Sequence, residues 1–270
     1  MDSLEQITAG FWTTPHLVQL LSCEAVMIII AIILNKLLGN KPLKVRMIPY
    51  QILTVILLLS EVGKQYLSIQ RGYDLYHIPL HVCSLFLILT PFMSFYNGKY
   101  KDVIRSITCA VTVSLMLFMV VYPNLIYSAD NIKRFFTGSY FDFHTVFYHN
   151  VVIFQFILII ALRLHHVDHS KRNIKGIVLF AAAFSTVAGI MSQVLKTNFA
   201  KFYYCDAIGI GGLVDQLKGV IGEVAGQTIF VICWGIFHIL FFLLAYYIYR
   251  LVDKLNIKLR GRGRRILIKD

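Results

Sequence analysis

The stretch "LVQLLSCEAVMIIIAIILNKLLGNK", residues 17–41, decides what kind of protein this is. From Leu17 to Leu34 its only charged residue is Glu24, and it then closes on Lys36 and Lys41. At about 1.5 Å of rise per residue, a helix over 17–37 crosses a hydrocarbon core of about 30 Å. The run is too long for the core of a cleaved signal peptide. The residues before it, "MDSLEQITAGFWTTPHL", open acidic and polar, so no targeting peptide is expected.

Working outward, the same alternation of apolar runs and charged breaks predicts seven helices. They fall at about 17–37, 47–68, 77–96, 103–122, 143–163, 173–195 and 226–249. The composition agrees, with 57% of residues hydrophobic and 15% charged, against about 25% charged in an average soluble domain. The expected fold is all-α, a polytopic integral membrane protein forming a single membrane domain over residues 1–270. No internal repeat or low-complexity linker interrupts it.

Lysine and arginine set the expected orientation. One set of connections, with the tail from Arg250 onward, holds nineteen of them, and the other holds seven. The N-terminus is therefore expected outside and the C-terminus in the cytoplasm, in the cell membrane. The net charge of +12 follows from this asymmetry, since anionic lipid attracts each juxtamembrane Lys or Arg by about 1 kcal/mol. The basic tail 250–270 reads as a topology anchor, and no nucleic-acid partner is implied.

Ionisable residues inside a membrane are costly and raise a functional hypothesis. Here they share one depth. Glu24, Glu61, Lys64, His77, His81, Cys83, Ser84, Asp142, His144, His149, Ser192, Gln193, Asn198, Glu223 and Gln227 all fall in the expected outer halves of their helices. The inner halves, such as "MIIIAIIL" and "FILIIAL", are nearly apolar, with Gln155 and His238 the main exceptions. A polar cavity opening toward the outer leaflet is expected, with Cys83 and His149 each about 10 Å below the boundary.

Plainer readings compete for each residue. Glu61 and Lys64, at i,i+3, suit a neutralising pair. His77 and His81 share a helix face, as metal ligands would, but no HExxH accompanies them, so no metal and no cofactor is expected. His165, His166 and His169 in "LHHVDHSKR" read as a solvated loop. Cys23, Cys109 and Cys233 read as small packing residues, and no CxxC spacing points to a disulfide or zinc framework. Cys83 stands apart, because a thiol becomes a nucleophile when a base takes its proton. His81 lies about 200° around a helix from it. His149, at the same depth on another helix, is better placed, with Asn150 or Glu24 available to orient the imidazole.

The element "PLHVCS", Pro79 to Ser84, resembles the signature of the bacterial YwaF family and its animal relative, transmembrane protein 164. The "YPN" at 122–124, "FHTVFYHNVVI" opening the fifth helix and "LKTNF" at 195–199 follow in family order. The similarity covers residues 15–250. Between the sixth and seventh helices, where relatives carry aromatic and proline-rich sequence, this chain reads "AKFYYCDAIGIGGLVDQLKGVIGEVAGQ", a glycine-rich stretch expected to roof the cavity.

The resemblance implies an enzyme acting on membrane phospholipids, an acyltransferase or acyl hydrolase of lipid metabolism. Cys83 is the implied nucleophile and His149 the general base. His81, Ser84, Glu24, Glu61, His77, His144, Asn150 and Asn198 are the expected substrate-side residues, with His81, Ser84, Asn150 or Asn198 able to serve as oxyanion donors. Two other readings stand beside it: a transporter of a small solute or ion using Glu24, Glu61 and the histidines, and a membrane protein that binds lipid or another ligand without turnover.

Overall fold

The structure is a computed structural model that describes residues 12–167, 170–205 and 210–261. Its described residues form helices and no strand. In chain order the helices are α1 (Thr14–Leu38), α2 (Leu43–Gln70), α3 (Phe86–Phe95), α4 (Lys101–Val121), α5 (Ala129–Lys133), α6 (Tyr140–Ala161), α7 (Lys171–Leu195), α8 (Ile210–Ile221) and α9 (Glu223–Gly261). Six of them, α1, α2, α4, α6, α7 and α9, are long and apolar enough to cross a membrane. The architecture is that of a multi-pass helical membrane protein.

The third predicted helix, 77–96, does not form as one piece. Only a short apolar stretch, Cys83–Phe95, is helical. Residues 75–77 make a single 3-10 turn, capped where the Tyr76 N–H donates to Asp74 Oδ1 at 2.9 Å. Pro79 supplies the reason: it has no N–H to donate, and its ring pushes the preceding residue out of helical space. Ile78 accordingly sits at φ −58°, ψ 131°. Residues 77–83 therefore do not rise at a helix's roughly 1.5 Å per residue, and Cys83 opens a helix instead of lying within one.

The last helix differs in the other direction. It was expected over 226–249 and runs to Gly261, 39 residues, or about 58 Å of helix. The first part of the basic tail is thus helical, and it contacts the α6–α7 region through Asp253 and Asn256.

Helices α4 and α6 form the centre. The apolar window of α4 is 72% buried and that of α6 61%, against 17% for α1 on the periphery. The sequence of α4 suits that position. Its Thr108, Thr112 and Ser114 hydroxyls donate to carbonyls one turn back, at 2.8–2.9 Å. With no strong apolar force between helices in lipid, such small, self-satisfied residues allow close packing. α7 and α9 pack on α4, and α2 and α1 pack on α6. Gly63 of α2 lies where a Cβ would come within 2.7 Å of Tyr140 Oη, and Tyr140 instead donates to the Ser60 carbonyl at 2.8 Å.

Candidate functional site

A cavity of about 600 Å³ opens where α2 ends, α3 and α6 begin and α9 enters the bundle. Glu61, His77, His81, Cys83, Ser84, His144, His149 and Asn198 all line it. Eight of the ten residues singled out from the sequence therefore meet in one space, although they come from four separated segments. The other two do not join them. The Asn150 side chain donates to the Val146 carbonyl at 2.7 Å and accepts from Gln19 at 2.9 Å. Glu24 is likewise absent from the lining. Neither orients His149. That ring is held instead by its own helix, with Nδ1–H donating to the Thr145 carbonyl at 2.6 Å.

That bond has a chemical consequence. A carbonyl can only accept, so Nδ1 carries the proton of the neutral imidazole and Nε2 keeps its lone pair. His149 is 6% exposed and packs between the rings of Tyr127 and Tyr148. Tyr148 in turn reaches the backbone of the nucleophile candidate, its hydroxyl donating to the Cys83 carbonyl at 3.1 Å. Among the described residues no hydrogen bond joins the Cys83 thiol to His149. Cys83 sits in the first helical turn of Cys83–Phe95.

His81 is committed elsewhere. Its Nε2–H donates to the Tyr76 carbonyl at 3.1 Å, and its Nδ1 faces the Ala200 N–H at 3.5 Å. It thus pins the broken segment before Cys83 to the loop after α7. That loop holds three non-glycine residues in the left-handed region, Lys196 (φ 50°), Ala200 (φ 46°) and Lys201 (φ 64°). Such conformations cost about 1–3 kcal/mol each and gather at functional sites. Asn198 Oδ1 accepts from the Tyr203 and Tyr204 N–H groups at 3.3 and 3.1 Å, so only its amide nitrogen faces a ligand as a donor.

A second polar group occupies the α2 wall. Glu61 Oε1 takes Lys64 at 2.7 Å and the Gln65 amide at 2.7 Å, while Oε2 lies 3.2 Å from His144 Nε2. Glu61–Lys64 is thus an ion pair, as the spacing suggested. His77 bonds Ser68 Oγ through Nδ1 at 2.6 Å and stacks on Phe141 at 4.9 Å. Among the described residues no cluster of His, Cys, Asp or Glu is arranged to hold a metal.

Several lining residues were not among the candidates: Tyr127, Tyr148, Lys201, Cys205, Trp234 and His238. His238 carried a readable signal as an ionisable residue deep in an apolar helix. Tyr127, Tyr148 and Trp234 did not, because aromatic residues are common throughout such helices, and Lys201 and Cys205 lie in the stretch between the sixth and seventh predicted helices.

The opposite end of the bundle qualifies two expectations. The histidine loop is solvated only in part, with His166 exposed and His165 buried. His165 is 7% exposed and bonds Ser106 Oγ at 3.1 Å, and His166 Nδ1 contacts Asp253 Oδ2 at 2.6 Å. Burial, with Arg105 and His166 nearby, lowers the His165 pKa to about 3. His169 lies outside the described residues. Gln155, the expected polar exception in an otherwise apolar half, is joined in the core by Thr54 and Ser94, bonded in a chain at 2.8–2.9 Å. Of the packing cysteines, Cys109 is buried in the core, whereas Cys233 is exposed.

Fold and site together define a helical, multi-pass membrane protein with a partly enclosed polar cavity at one end of its bundle. Comparison with known proteins adds no relative: no family model, no curated protein and no solved structure matches the chain.

Proposed function

We propose that this protein is a cell-membrane enzyme that moves a fatty acyl group from a phospholipid through a Cys83 thioester, in the manner implied by the resemblance to the YwaF family and transmembrane protein 164. In this reading Cys83–Phe95 completes a seventh, re-entrant or short span. The N-terminus is outside, the basic end faces the cytoplasm and the cavity opens to the outer leaflet. The observation that carries the proposal is the convergence of Cys83 and the open Nε2 of His149 on one cavity.

The chemistry follows from those two groups. His149 Nε2 takes the Cys83 proton, and the thiolate attacks the ester carbonyl. The C–O bond then breaks, and the departing lysolipid oxygen takes the proton back from His149. The Asn198 amide and Ser84 hydroxyl are the candidate donors to the oxyanion. Catalytic hydrogen bonds often tighten only when substrate is bound, so the open Cys83–His149 geometry is compatible with this role. The apolar floor of Leu115 and Phe118 suits an acyl chain.

The test is site-resolved labelling of membranes with an acyl-mimetic thiol probe. Selective modification of Cys83 that is lost in His149→Ala, with the fold intact, supports the enzyme. A Cys83 no more reactive than Cys233 sinks it. The transporter reading draws on the Glu61–Lys64–His144 group and the Thr54–Ser94–Gln155 bonds. It predicts that aqueous thiol reagents reach cysteines placed along α6 from the basic end.

A further inference from the structure

Two histidines line the cavity in the same electronic state. His149 gives Nδ1–H to Thr145 O, four residues back on α6, and His238 gives Nδ1–H to Trp234 O at 2.9 Å, four residues back on α9. Both are more than nine-tenths buried, at 6% and 2% exposure. Each therefore presents an unprotonated Nε2, and among the described residues neither Nε2 has a partner. Neither Nε2 is among the buried polar atoms sealed off without a partner, so each is reached from the cavity both rings line and can accept a proton donor that enters it. The His238 ring is held rigidly, stacked on Phe202 at 5.1 Å with 17° between planes, and Trp234 beside it fixes the strained loop by donating to Ala200 O at 2.9 Å.

Acyl exchange needs a base twice, at two different oxygen or sulfur atoms: once to strip the thiol and once to strip the acceptor hydroxyl. We infer that His238 is the second base, binding the hydroxyl of the acceptor lipid and taking its proton. This inference rests on the acyl-transfer reading above. In the second half-reaction the acceptor O–H gives its proton to His238 Nε2 as its oxygen bonds to the thioester carbonyl. The C–S bond then breaks, and the Cys83 thiolate recovers the proton from His238. The net change is one ester and one alcohol exchanged for another ester and alcohol. Two bases on different helices, α6 and α9, give donor and acceptor separate positions, which favours transfer to a lipid hydroxyl over hydrolysis.

The experiment uses the full chain in vesicles of phosphatidylcholine bearing a fluorescent acyl chain, with lysophosphatidylethanolamine as acceptor. His238→Asn keeps a donor near Nδ1 and removes Nε2, and His238→Gln serves as the second variant. The expected result is normal acylation of Cys83, seen as a mass shift on the intact protein, with transfer to the acceptor slowed about 10²-fold or more. Hydroxylamine, a nucleophile that needs no base, is expected to release the acyl group from wild type and variant at equal rates. Transfer at the wild-type rate overturns the inference, as does equal loss of acylation and transfer in both variants. Absence of any Cys83 thioester in the wild type instead overturns the acyl-transfer reading beneath it.

Discussion

The two ends of the bundle are both polar inside, and they use polarity in opposite ways. At the basic end several polar side chains are spent on backbone. Arg46 donates to the Leu162 and Arg163 carbonyls at 2.6 and 3.0 Å, Tyr249 to the His165 carbonyl at 3.0 Å, and Asn256 to the Ile160 carbonyl at 3.0 Å. Asp253 accepts the Val167 N–H at 3.2 Å. These bonds clamp the α6–α7 loop to the extension of α9, and they leave little for a ligand. At the cavity end His149 and His238 each spend one nitrogen on backbone, and among the described residues the other has no partner. Satisfied polar groups hold structure, and half-satisfied ones around a cavity are available for chemistry.

That contrast is breakable. The largest effect is expected from Cys83→Ala, which should reduce acyl transfer by about 10³-fold or more while thermal unfolding in detergent stays unchanged. Full turnover in the variant would remove the distinction between the ends. His149→Gln should cost about 10²–10⁴-fold in the rate of Cys83 acylation, measured by intact mass, again with little change in stability.

At the basic end the same kinds of substitution should act on stability alone. His165 binds its proton only near pH 3 in the fold but near 6.5 when unfolded. The unfolded chain therefore takes up more protons between those values, and stability falls as pH drops from 6.5 toward 3. His165→Gln should flatten that part of the pH dependence of the melting temperature, and an unchanged slope would show that His165 is not its source. Asp253→Ala removes the partner of the Val167 N–H and of His166, and should cost about 1–3 kcal/mol in denaturant titration without altering Cys83 labelling. The smallest effect is expected for Tyr140→Phe, which loses one bond to the Ser60 carbonyl, about 1 kcal/mol. A loss of activity there exceeding the loss of stability would extend the functional region to the α2–α6 contact.

The helical, membrane-spanning character and eight of the residues that line the cavity were legible in sequence, for one physical reason. Hydrocarbon cannot solvate ionisable groups, so where such residues occur in apolar runs their shared depth is informative. Depth alone admitted Glu24 and Asn150 with the rest, because depth does not say which way around its helix a residue faces. It missed Tyr127, Tyr148 and Trp234, whose residue types carry no depth signal. Across 77–82 the apolar run suggests a helix, but Pro79, with no N–H to donate, breaks it before Cys83.

Sequence by itself determined that the chain is helical, that it carries runs long enough to cross a bilayer and that its reactive side chains crowd toward one end. Those properties follow from side-chain solvation and helix rise, which are local. Only the tertiary structure decided that Cys83, His149 and His238 line one cavity, that Glu24 and Asn150 stay outside it, and that His165 and His166 meet the extension of α9. Those outcomes depend on rotation about helix axes and on the order in which helices pack, and neither is encoded in any single segment.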